Sequence, residues 1–153
     1  MIPIQQELDY CQQYLALESL RFGNSFSYNI EIDKTIDTTY VKIPPLLLQP
    51  YLENAIWHGL LPKIENRHLA IKVKDKQDYI ICIIEDNGIG RKASIEKKQN
   101  QNSSKKSYGL AITNERININ NQLYEVGLSV KIIDKEDDYG NALGTSIALK
   151  IPV

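Results

Sequence analysis

Tyr79-Ile80-Ile81-Cys82-Ile83-Ile84-Glu85-Asp86-Asn87-Gly88-Ile89-Gly90 is the stretch on which the reading of this chain turns. Its first half is apolar on both faces, which predicts a strand in the middle of its sheet. The strand runs without a break into Asp86 and two glycines. An aspartate at the end of a central strand is held rigidly and points out from the sheet edge. Gly88 and Gly90 permit close approach to the backbone and positive φ. Taken alone, Asn87-Gly88 reads equally as an ordinary hairpin turn.

Working back toward the N-terminus, Leu69 to Val73 reads as a strand joined to the first by a polar turn at 75–78. Before it, residues 46–59 (LLLQPYLENAIWHG) predict a helix ending near Gly59, with Pro50 in its early turns and expected to bend or restart it. On that helix Asn54 and His58 are four residues apart and share a face. An asparagine oxygen suits a hard cation such as Mg²⁺. His58 reads alternatively as a satisfied surface or core histidine, and no further His or Cys is spaced to complete a transition-metal site. Residues 4–22 form the first predicted helix: Ile4, Leu8, Cys11, Leu15 and Phe22 recur at a helical period, and Tyr14, Leu17 and Leu20 widen the stripe. So broad a face wants two neighbours. Gly23-Asn24-Ser25 ends it, residues 26–32 alternate as a half-buried strand, and 40–43 look extended.

On the C-terminal side, residues 91–107 (RKASIEKKQNQNSSKKS) are nearly all polar and predict a mobile loop long enough to act as a lid. A helix is expected from Tyr108 to about Gln122, with Leu110, Ile112, Ile117 and Leu123 as its apolar candidates. Gly109 at its start leaves backbone N–H groups free to face an anion. Strands follow near 128–132 and from Gly144 to Val153. Hairpin-paired strands grouped between helices predict an α+β two-layer sandwich, its sheet mixed and mostly antiparallel.

The bulk numbers agree with one domain of ordinary globular composition: 153 residues, 42% hydrophobic, 24% charged, net charge −1. No basic surplus points to nucleic acid. Cys11 and Cys82 read as buried reduced thiols, and no stretch approaches the length of a membrane span.

The four signals together, the Glu53-Asn54 helix, the strand into Asp86 to Gly90, the polar stretch before Gly109-Leu110, and Gly144-Thr145 opening the last strand, resemble the GHKL nucleotide-binding superfamily of the Bergerat fold. The closer resemblance is to LytS/YehU-type sensor histidine kinases. It rests on Leu48-Gln49-Pro50-Tyr51-Leu52-Glu53-Asn54-Ala55-Ile56-Trp57-His58-Gly59, on Asp86 to Gly90, on Gly109-Leu110 with Glu115-Arg116-Ile117, and on Gly144-Thr145 with Ile151-Pro152. Glu7-Leu8 through Tyr14-Leu15, Glu18 and Arg21-Phe22 resemble the helix that enters this domain in that group.

The resemblance implies an ATP-binding catalytic domain. Asp86 would accept a hydrogen bond from the adenine amino group, supported by Thr145, with Gly88 and Gly90 making room for the base. Asn54 would hold Mg²⁺ against the triphosphate, with Glu53 nearby and His58 near phosphate as further catalytic candidates. Gly109 and Leu110 would close the helix start onto the phosphates, and the lid with Lys97, Lys98, Lys105 and Lys106 would cover the nucleotide. It also implies a division into residues 1–24, a helix connecting to an upstream dimerisation and phosphoacceptor domain, and 25–153, the catalytic domain with lid 91–107. A homodimer in the full-length protein, a cognate response regulator, and a cytoplasmic position beneath an inner-membrane parent follow from the same analogy. Trp57, often Lys in the group, and Ser107, in place of a glycine, depart from the pattern. They leave open a degenerate domain that senses nucleotide or binds protein. Pro50 stands where hydrolysing relatives carry a water-activating Glu, which fits phosphoryl transfer to an external histidine. The opening helix argues against a third reading, an ATPase or an anti-sigma-type serine kinase.

Overall fold

The computed structural model describes residues 1–100 and 109–153, with parts of the helices that flank the gap described by backbone alone. Its centre is a five-stranded sheet. β2 (Phe26–Ile32), β4 (Arg67–Asp75), β5 (Tyr79–Asp86), β7 (Ala142–Pro152) and β6 (Ser129–Glu136) lie side by side in that order. Only the β2–β4 pair is parallel. β5 is therefore the middle strand, as its apolar run requires. Its Ile80, Cys82, Ile84 and Asp86 face the helical layer and are buried, while Ile81 and Ile83 on the other face are half-buried.

The helical layer begins with α1 (Ile4–Arg21), which follows the two-residue β1 (Ile2–Pro3). Ile4, Leu8, Cys11 and Leu15 are at most 3% exposed. Each large aliphatic side chain so buried contributes about 1.5–3 kcal/mol. Tyr14 packs against the core, whereas Leu17 and Leu20 are 66% and 69% exposed, so one face of α1 meets the sheet and the other does not. β1 pairs with β3 (Lys42–Ile43) in a small second sheet that ties the start of α1 to the segment before the next helix. Both cysteines are buried free thiols, as expected.

α2 (Gln49–Asn54) passes without interruption into a π-helical stretch, Ala55–Leu60. Pro50 sits at the helix start, where a backbone N–H has no intrahelical partner, so it neither bends nor restarts the helix. The irregularity comes later, where the Leu61 N–H reaches the Ile56 carbonyl five residues back at 2.9 Å. Such wide turns occur mostly as single bulges near functional sites.

The polar stretch from residue 91 does not begin as a loop. α3 (Arg91–Asn100) is helical, which its Lys, Glu, Gln and Ala content permits once an end is anchored. The rest of the expected lid, 101–107, with Lys105, Lys106 and Ser107, and the side chains of Lys97 and Lys98 lie outside the described residues. α4 (Gly109–Tyr124) follows. Ile117 packs into the core, whereas Leu123 is 68% exposed and is no core residue.

Candidate functional site

Strand β5 delivers Asp86 to the helical face of the sheet at its C-terminal end, where the carboxylate is only 4% exposed. The loop after it is not a hairpin turn: β5 pairs with β4 and β7, and the chain continues into α3. Hydrogen bonds from three directions fix the loop. The Asn87 Oδ1 accepts the His68 N–H at 2.7 Å, and Lys63 Nζ donates to the Asn87 carbonyl at 2.9 Å. The Ile89 N–H donates to the Gly59 carbonyl at 3.0 Å, and the Gly88 N–H to Asp86 Oδ1 at 2.9 Å.

Burial pushes the Asp86 carboxyl up to about 6, against the Gly88 N–H, Lys135, the Thr145 N–H and Lys63, which all favour the ionised form. Desolvation of the charge is thus the larger effect. The result is an acceptor that remains mostly ionised at neutral pH but has little water around it.

The π-helical stretch brings Gly59 directly against this carboxylate. A Cβ on Gly59 would lie 2.8 Å from Asp86 Oδ1, and one on Gly88 would lie 2.3 Å from the Gly59 carbonyl carbon. A side chain at Gly88 would run into backbone that cannot step aside, and one at Gly59 would displace the Asp86 carboxylate.

Asn54, Ala55, His58 and Gly59 form one wall of an open cleft. Asp86 and Thr145 lie on a second wall with Ile132 and Ile147, which are register partners on β6 and β7. Gly90, Arg91 and Ser94 complete the rim. Of the residues expected from the sequence, Asn54, His58, Asp86, Gly90 and Thr145 meet in this one cleft. Gly88 supports it from behind. Glu53 does not line it; that side chain accepts a hydrogen bond from Gln49 Nε2 at 3.2 Å, one helical turn back. The backbone of Gly109 and Leu110 opens α4, as expected, and their side-chain surroundings lie outside the described residues.

Sequence reasoning missed Arg91, Ser94, Ile132 and Ile147. Arg91 makes a two-pronged contact with Asp134 on β6, at 2.7 and 2.6 Å, which holds the first turn of α3 beside the cleft. At more than a third exposed on each side it adds under about 1 kcal/mol to stability. Its effect is positional. Trp57 points elsewhere: its ring meets Phe22 edge-on at 5.3 Å, Arg21 lies 5.4 Å above it, and its indole N–H reaches the Tyr14 hydroxyl. Trp57 therefore packs against α1 and does not line the cleft.

A buried acceptor stands beside glycines at one end of the cleft, and an amide and an imidazole stand at the other. The fold is that of solved histidine kinase catalytic domains. The histidine kinase domain of a blue-light activated histidine kinase from Erythrobacter litoralis superposes with TM-score 0.58 at 16% identity, covering 94% of this chain and 63% of that one. The catalytic domain of histidine kinase ThkA does so with TM-score 0.58 at 19% identity, covering 95% and 94%. ThkA in complex with its response regulator TrrA matches with TM-score 0.55 at 19% identity, over 96% of this chain and 40% of that one. No family model matches. The sensor protein LytS of Bacillus cereus is 32% identical over 99% of this chain, and LytS of Staphylococcus epidermidis is 36% identical over 58% of it. The chain is a LytS-like domain, similar along its whole length to the LytS sensor proteins, and it spans 25% of the length of the Bacillus protein.

Proposed function

We propose that this chain is the ATP-binding catalytic domain of a two-component sensor histidine kinase, which passes the γ-phosphate of ATP to a histidine on a separate helical domain. One observation carries the reading: Asp86 and Asn54, from distant parts of the sequence, line the same cleft. The cleft fits the nucleotide by its chemistry. Asp86 is a desolvated acceptor for an exocyclic amine, Gly59 and Gly88 keep the floor beside it clear, and Ile132 and Ile147 offer apolar walls to a flat ring. Asn54 and His58 take the phosphate end.

Mg²⁺ would be held by the Asn54 oxygen together with phosphate oxygens. Magnesium keeps most of its shell as water and phosphate and needs no protein cage. Asp86 is the only carboxylate among the described lining residues, and it stands at the base end. Pro50, four residues before Asn54, lies in α2 away from the cleft. Both facts support transfer to an external acceptor over hydrolysis.

Of the two histidines, His58 lines the cleft and His68 is bonded to Ser27 and Asn29 on the sheet edge. The acceptor histidine therefore belongs to another domain. A response regulator and a homodimer in the parent protein complete the proposed assembly. No helix among the described residues is long and apolar enough to cross a membrane.

Titration with a fluorescent ATP analogue tests the reading, with saturable binding expected and none overturning it. Asn54→Ala is expected to weaken binding about tenfold, near 1.4 kcal/mol, in Mg²⁺ and to leave it unchanged in EDTA. Equal loss in both would make Asn54 structural. Mixing the domain with a histidine-bearing helical segment should yield acid-labile phosphate, and its absence would count against the kinase assignment.

A further inference from the structure

Glu7 is 1% exposed, on the sheet-facing side of α1, far in sequence from the cleft. Its two oxygens are fully used: Oε2 accepts the Leu46 N–H and Oε1 the Leu48 N–H, each at 2.9 Å. These are the residues that lead into α2. The N-cap of that helix, Leu48, has no side chain able to cap, and Pro50 removes a donor from its first turn. A carboxylate from another helix thus takes over the capping that α2 cannot supply for itself.

Leu46 is unusual in its own right. Its φ is +56°, the left-handed region that a leucine adopts only when its surroundings impose it. Arg116 of α4 holds it from the other side, with Nη2 donating to the Leu46 carbonyl at 3.3 Å. One strained residue is thereby clamped between α1 and α4, immediately before the helix that carries Asn54 and His58.

We propose that Glu7 is a positioning residue for the Asn54–His58 helix, acting through the Leu46–Leu48 turn clamped by Arg116. It touches neither base nor phosphate. It fixes where α2 starts, and Asn54 lies only five residues beyond Gln49, so a shift at the turn is carried directly to the amide. Burial raises the Glu7 carboxyl pKa, and the backbone donors and Arg116 oppose the rise, so this charge is kept buried by the contacts named here. This inference rests on the nucleotide-binding reading above.

Glu7→Gln replaces one acceptor by an amide donor that must face a backbone N–H, while keeping size and shape. Binding of the ATP analogue is expected to weaken about tenfold in Mg²⁺ and to stay unchanged in EDTA. On an Asn54→Ala background Glu7→Gln should cause no further loss, because the group it positions is already gone. A merely structural glutamate would weaken both conditions alike and would add to Asn54→Ala; either result overturns the proposal, as does full Mg²⁺-dependent affinity in the single variant. If Glu7→Gln does not fold, Arg116→Ala loosens the same turn from its exposed side. It should give a loss of roughly threefold confined to Mg²⁺, and no loss would overturn the proposal. Failure of the native chain to bind the analogue at all would instead strike the nucleotide reading.

Discussion

Asp86→Asn is expected to abolish adenine-dependent binding and, at the same time, to make the domain more stable. The two effects have one cause. The carboxylate is 4% exposed, and its pKa is raised from 3.8 to about 6 by burial. A native pKa above the unfolded one means that the folded state holds the proton more tightly. Asp86 therefore favours folding fully below about pH 4, and this contribution is lost as the pH rises through 6. At pH 7 the charge is present in both states, and burying it costs up to about 3 kcal/mol. Asparagine removes that cost. Urea unfolding should show Asp86→Asn more stable by an amount of that order at pH 7, with the gap closing below about pH 4.

The binding loss follows from the donors around the site. The Gly88 and Thr145 N–H groups act on the Asp86 side chain, so an asparagine oxygen would turn toward them. Its amide donors would then face the adenine amino group. Loss of a hydrogen bond to a charged acceptor, with a donor left unpaired, is worth about 3 kcal/mol, or on the order of 100-fold. Unchanged affinity for the ATP analogue would remove Asp86 from the base pocket. Unchanged stability across the pH range would mean that the buried charge is better compensated than its surroundings indicate. In the native domain, carbon-13 titration of the Asp86 carboxyl should report a midpoint near 6 that falls when nucleotide is added.

The parts of the site that were legible in the sequence are those whose residue type is dictated by local backbone or chemistry. Asp86 stands out at the end of an apolar strand beside two glycines, and Asn54 and His58 by helical spacing on one face, but it is the four motifs together, through the family resemblance, that give them roles. The missed residues are of another kind. Ile132 and Ile147 are ordinary strand residues, and only the β6–β7 register makes them cleft walls. Arg91 joins the rim because Asp134, on β6, holds it there. Neither relation is local in sequence.

The two clearest departures in the fold have the same origin. A composition that cannot bury a core was read as loop, yet residues 91–100 form α3. Polar composition excludes burial, but Lys, Glu and Gln remain good helix formers when one end is anchored. Pro50 was read as a bend, but its effect depends on where the helix begins. That start is fixed by Glu7 and the positive-φ Leu46, through contacts across about forty residues that no sequence window contains.

Gly144→Ala is expected to produce the largest loss of stability among single-atom additions to this domain, and Gly140→Ala shows why. Both glycines have positive φ, +126° at Gly144 and +77° at Gly140. Around Gly140 a Cβ meets nothing within 4 Å, so alanine there carries only backbone strain, about 1 kcal/mol. At Gly144 a Cβ would fall 1.9 Å from the Asp86 carbonyl oxygen and 2.8 Å from the Asn87 Cα. Those atoms belong to the central strand and to the loop pinned by His68 and Lys63, so they cannot step aside as a side-chain tip would. Strain of about 1–3 kcal/mol and overpacking of a similar size together predict a loss of ~3–6 kcal/mol, a large share of a typical domain's stability. Urea midpoints at constant m-value measure both variants, and equal losses would disprove the close approach of β7 to Asp86. Where Gly144→Ala folds at all, β7 must move away from the end of β5, and Thr145 moves with it. Nucleotide affinity should then fall together with stability, whereas Gly140→Ala should leave affinity at the native value. The glycine that opens the last strand thus acts on the base pocket through backbone packing alone, without contributing an atom to the cleft lining.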